Sequence, residues 1–145
     1  MPISLLSRLF LLGRIPANIR ATLETEDIIV ADENIRGWIV FKDFRAPGKR
    51  FKHRAEGFAG FLVITRKRVI AQAFGQRVIN IMHDHPKARL LHMDLPQKAR
   101  IEFSFEASDF HDDRSGRVIV GFKTDKAGEF LRAFESMHIK KLQIP

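Results

Sequence analysis

The sequence contains no cysteine and no tyrosine, and only one tryptophan. Without thiols there is no disulfide, no thiolate nucleophile and no thiolate-ligated zinc, and the composition is compatible with a reducing compartment. The missing tyrosines matter for another reason. Thirteen phenylalanines carry nearly all of the aromatic mass, and a ring without a hydroxyl favours burial over polar display. Long apolar runs are missing too. The most apolar stretch, Ile3 to Leu12, is interrupted by Ser4, Ser7 and Arg8 and falls short of the roughly 20 residues that span a bilayer. Arg8 lies inside that stretch and Arg14 follows it, unlike the order of a secretory signal. The expected location is cytoplasmic, with peripheral attachment at a membrane left open.

What the chain does have is positive charge concentrated in one region. Residues 1–35 hold three basic and five acidic side chains, residues 36–89 thirteen and three, and residues 90–145 nine of each, so the middle third alone carries the excess behind the net +8. Such a concentration attracts polyanions: anionic lipid headgroups, acidic protein surfaces or nucleic acid. At 145 residues and 45% hydrophobic content the chain fits one domain with one core.

Periodicity gives the order of elements. Ile3, Leu6, Leu9 and Phe10 fall at helical spacing, and Gly13 and Pro16 end the segment, which predicts a short amphipathic helix within residues 1–16 ahead of a single domain over residues 17–145. After an acidic stretch from Glu24 to Glu33, with a short strand at Ile28 to Val30, the pattern changes to period two. Strands are predicted at Arg36 to Phe44, Phe58 to Thr65, Val69 to Phe74, Arg77 to Met82, Ala88 to Met93, Arg100 to Glu106 and Arg117 to Lys123. Ala46 to Arg54 and Ser108 to Gly116 read as loops. Ala127, Phe130, Leu131, Phe134 and Met137 then mark an amphipathic closing helix. The fold class expected is mainly β: a seven-stranded antiparallel barrel or two-sheet sandwich, capped by a C-terminal α-helix and preceded by a short N-terminal helix.

Two segments resemble the pleckstrin-homology-like superfamily, in its GRAM and bacterial pleckstrin-homology branches. Gly60 to Ile70 has the pattern of an apolar strand, Thr65, two residues, Arg68 and a second apolar strand, and Phe122 to Phe130 looks like a last strand entering the closing helix. The resemblance covers roughly residues 26–138. Trp38 departs from it, lying in the first predicted strand and not in the closing helix as in many eukaryotic members. The resemblance implies a non-catalytic binding module. It also implies that the segment after the first strand, with Lys49, Arg50, Lys52 and Arg54, surrounds an anionic headgroup. Lys42 and Arg45 before it, and Arg66, Lys67 and Arg68 on the next hairpin, complete the candidate anion-binding set. Each Arg can meet two phosphate oxygens, and each Lys adds a point charge.

The alternatives carry less. A protein–protein scaffold would use an open sheet edge or join copies of the chain through the N-terminal helix. Nucleic acid ranks below, because only Phe51 and Phe58 lie near the basic run and no dedicated motif is present. His83, Asp84, His85, His92, His111, Asp112 and Asp113 include metal-ligating types, but a turn rich in His and Asp is ordinarily a solvated turn. No cofactor is expected. Nucleophile elbows, phosphate-cradling Gly loops and the His-Glu-x-x-His pattern are absent from the sequence, so no enzymatic activity is expected.

Overall fold

A computed structural model describes the backbone of residues 13–142 and the side chains of residues 13–137. Seven antiparallel strands form one continuous sheet: β1 (Ile28–Ala46), β2 (Lys49–Thr65), β3 (Arg68–Ala73), β4 (Gln76–Met82), β5 (His92–Gln97), β6 (Arg100–Glu106) and β7 (Ser115–Lys123). Their order across the sheet is β4-β3-β2-β1-β7-β6-β5. Three helices are described: α1 (Ala17–Glu24), α2 (Ala107–Phe110) and α3 (Ala127–Leu142). The predicted helix at Ile3 to Leu12 lies outside the described residues; the short N-terminal helix that is described is α1.

Two long strands shape the sheet. The first part of β1 pairs only with β2, whereas Gly37 to Arg45 pair with both β2 and β7. Likewise β2 pairs with β3 only through Gly60 to Ile64. Register shifts interrupt β1 between Asp32 and Ile35 and, against β7, between Lys42 and Arg45. At these places Asn34 and Asp43 have φ of 55° and 49°, a left-handed conformation that Asn and Asp tolerate better than most residues. Such bulges bend a strand and increase its twist. The sheet accordingly curls around one core. Ile79 of β4 and the half-buried Met93 and Leu95 of β5, on opposite edges, join the same apolar cluster as Ile39, Leu62, Phe103 and Val120.

The closing helix has the predicted role. Phe130 and Phe134 of α3 are buried in that core, and the Phe134 ring meets Phe103 edge-on at 6.1 Å. The helix entrance is tied back to β1: Thr124 Oγ1 donates to Asp32 Oδ2 at 2.6 Å, and Lys126 Nζ donates to the Ala31 carbonyl at 2.8 Å.

A second apolar cluster lies on the other face of β2 and β3. Phe61, Val63 and Ile70 are covered there by Ile15 and by Leu23 of α1. Phe61 to Thr65 are therefore fully buried on both faces of the strand, which accounts for an unbroken apolar run where a half-exposed strand would alternate.

Three sequence expectations need correction. Lys49 to Arg54 is not a loop but the start of β2, paired with β1 through Ala46↔Lys49, Arg45↔Arg50 and Phe44↔Phe51. The turn itself is only Pro47-Gly48, with Gly48 at φ 73°, as a Pro-Gly pair supplies. Ala88 to Met93 is not one strand: a 3₁₀ turn at Ala88–Leu90 precedes β5. Ser108 to Gly116 is not all loop, because α2 and the first residues of β7 overlap it.

Candidate functional site

Helix α3 covers one end of the curled sheet, and the other end is an open cleft of about 1250 Å³. Its walls come from β1 and the start of β2, from β4, and from α2 with the turn after it. The size is at or above the range of about 300–1,000 Å³ typical of small-molecule sites.

The lining is graded from bottom to rim. Every buried residue in it is apolar, including Ile39, Phe44, Ile79, Leu91, Val118 and Val120. Half-buried rings form the next level. Phe41 lies 4.8 Å from Phe44 and 5.6 Å from Phe51, Phe44 and Phe51 stack at 6.1 Å, and Phe105 meets Phe110 edge-on at 5.3 Å. The polar lining residues are exposed, except the half-buried Glu56. Lys49, Arg54, Arg77, Lys87 and Arg114 bring five cations to this rim, against the carboxylates of Glu56 and Asp113. Arg54 and Arg114 are paired with those two carboxylates, at 2.6 and 3.6 Å. Lys49, Arg77 and Lys87 have no ion pair among the described residues.

Phe74, at the β3–β4 turn, lines the cleft. It is 47% exposed, one of two large apolar side chains left exposed among the described residues, and its φ is 54°. A bulky residue in the left-handed region is uncommon and costs backbone energy. Its ring is 5.6 Å from that of Phe58, which holds an aromatic surface at the mouth.

The sequence-based anion set divides into three groups. Lys49 and Arg54 line the cleft, and the Arg54 guanidinium lies 4.7 Å from the centre of the Phe51 ring. Lys42, Arg45, Arg50 and Lys52 are exposed on the same hairpin but outside the cleft. Arg66, Lys67 and Arg68 lie at the far end of β2, up to about 50 Å of strand path from Lys49 at roughly 3.3 Å per residue. There Arg68 is committed to a buried carboxylate: its Nε and Nη2 donate to Glu26 at 2.9 and 2.6 Å, and Glu26 is 6% exposed. Thr65 Oγ1 accepts the Lys67 and Arg68 amides and donates to Glu26, and His83 Nε2 donates to the Thr65 carbonyl at 2.8 Å. This cluster ties α1's end to the β2–β3 turn, and Arg66 adds a long pair to Asp27 at 3.7 Å.

Sequence reasoning passes over Arg77, Lys87 and Arg114, which come to the rim from three separate places in the chain. Only Arg77, the second residue of β4, has a local signal: a cation two residues past the Phe74-Gly75 turn.

Among the described residues, no three His, Asp or Glu side chains come together in a group that could hold a metal ion. His85 and His111 belong to the cleft rim, while His92 is exposed on β5. No helix among the described residues is long and apolar enough to cross a membrane. In comparisons with known proteins the chain matches no family model and no curated protein.

Proposed function

We propose that this chain is a non-catalytic, pleckstrin-homology-like binding module that takes an anionic ligand or an anionic membrane surface at the open end of its sheet. One observation carries the reading: the uncovered end of the core is ringed by Lys49, Arg54, Arg77, Lys87 and Arg114, with only two carboxylates among them. Cations converging from the β1–β2, β3–β4, β4–β5 and α2–β7 segments attract anions more strongly than the same charges scattered over the surface. The seven antiparallel strands and closing helix support the family part of the reading.

Vesicle sedimentation at low ionic strength tests it. The chain is expected to pellet with anionic vesicles, to stay in solution with neutral ones, and to be released as salt is raised, since exposed charges are screened over about 10 Å at 0.1 M. Equal recovery with both vesicle types would remove the membrane-surface form of the reading.

A second reading has its own observation. β4 is a sheet edge and also a cleft wall, so its unpaired backbone groups suit the addition of a strand from a partner protein. Nucleic acid has less support, because the Phe51 ring is engaged with Phe41, Phe44 and Arg54 and is not free to stack a base.

A further inference from the structure

The cleft's grading narrows the ligand beyond its charge. A sugar, a nucleobase or an inositol headgroup seated on the floor would need hydrogen-bonding partners, because an unpaired polar group in an apolar site is costly. The floor offers no polar side chain: the buried lining residues are all apolar, and the rings above them are phenylalanines without hydroxyls. Apart from the half-buried Glu56, whose carboxylate is paired with Arg54, hydrogen-bonding and charged side chains begin only at the rim. The complementary molecule is therefore apolar over most of its length and anionic at one end.

We infer that the cleft receives a single-chain amphiphile with an acidic head, a long-chain fatty acid anion, its hydrocarbon tail lying among Phe41, Phe51, Phe105 and Phe110 and its carboxylate held at the rim by the unpaired cations Arg77, Lys49 and Lys87. The inference rests on the proposed anion-binding function and names its ligand class. Arg77, Lys49 and Lys87 are chosen because all three line the cleft and none is in an ion pair among the described residues, whereas Arg54 and Arg114 already face carboxylates. A two-tailed phospholipid in a bilayer would use the rim and leave the floor empty. A single chain fills both. Phe74, fixed beside the mouth, supplies apolar surface where the tail enters.

The test is displacement of a fluorescent fatty acid from the full chain, with competitors kept below their micelle concentrations. Saturated carboxylates of increasing length are expected to bind at one per chain. Affinity should rise about fourfold per added methylene, the equivalent of about 0.8 kcal/mol per buried CH₂, until the cleft is full. An alcohol of equal length should bind roughly tenfold more weakly and lose the salt dependence, as expected when one charge-assisted contact is removed. Val78→Trp, which narrows the cleft from β4, should abolish displacement while recovery on anionic vesicles persists. Should that variant fail to fold, as judged by circular dichroism, Met82→Trp on the same wall serves instead.

A flat response to chain length, several fatty acids per chain, or undiminished binding by a folded narrowed variant would overturn the inference. Equal affinity for alcohol and carboxylate would overturn the acidic-head assignment. Recovery on anionic vesicles without any fatty acid binding would sink this inference and leave the proposed function standing. Failure of both would sink this inference together with the membrane-surface form of the proposed function.

Discussion

The two ends of the curled sheet are built from the same kind of residue and finished differently. At one end Phe130 and Phe134 of α3 complete the core, and Phe103 and Phe130 are wholly buried. At the other end Phe41, Phe51, Phe105 and Phe110 are only partly buried and face a cleft. A single helix can cover one mouth of such a sheet, and what it leaves uncovered is apolar surface available for binding. Phenylalanine alone therefore does not distinguish core from site in this chain. Whether another element covers the ring does.

Truncation at the two ends should separate them most clearly. Phe130→Ala is expected to lower unfolding free energy by about 3–5 kcal/mol, as for a fully buried aromatic, whereas Phe51→Ala should cost about 1 kcal/mol. Urea denaturation followed by circular dichroism measures both, and equal losses would erase the distinction between core and site. The basic residues divide in the same way. Arg68→Ala leaves Glu26 buried without its cation and should cost about 2–3 kcal/mol, below the range for fully buried pairs because Arg68 retains some exposure. Arg50→Ala, on the open hairpin, should change stability by no more than about 0.5 kcal/mol.

An effect between those of Arg68→Ala and Arg50→Ala is expected at the closed end's fastening. Thr124→Val removes the hydroxyl that bonds Asp32 and accepts the Lys126 amide, for a loss of about 1–2 kcal/mol. As small a change in stability as that of Arg50→Ala belongs to Lys49→Glu combined with Arg77→Glu, within about 0.5 kcal/mol for surface positions. That double variant should nevertheless lose sedimentation with anionic vesicles, which places the rim's contribution in binding and not in folding.

Sequence pattern carries the fold where one face is wet and the other dry. Ile101, Phe103 and Phe105 alternate with polar neighbours and predict Arg100 to Glu106, the bounds of β6. The same reasoning places α3 from its apolar stripe. It fails at Lys49 to Arg54, because that part of β2 pairs only with β1 and every residue of it except the half-buried Phe51 is exposed, so little burial pressure marks it as a strand. It also passes over α1, whose apolar positions Ile15, Ile19 and Leu23 recur every four residues beside Pro16, a brief signal next to an acidic stretch. The unbroken run Phe61 to Ile64 was a further clue, since a strand dry on both faces requires a cover on each. β5 escapes correct placement partly because Pro96 argues against a strand; it is tolerated there because β5 is a sheet edge. The site is the least legible part. Six of the nine residues of the anion set lie on the β1–β2 hairpin, but the rim is completed by cations that only the curl of the sheet brings together.

The seam between β1 and β7 also has a kinetic corollary. Every other strand pairing joins neighbours in the chain, whereas Trp38 of β1 meets Gly121 of β7 across most of the domain's length. A contact of such separation forms only after a large loop has closed, so refolding should fall in the millisecond-to-second regime of β-rich domains. The chain's single tryptophan lies on that seam: a side chain at Gly121 would sit 2.0 Å from the indole, and the Arg100 guanidinium is 5.4 Å from its ring. Its fluorescence is thus a built-in clock for the moment the two halves of the sheet join.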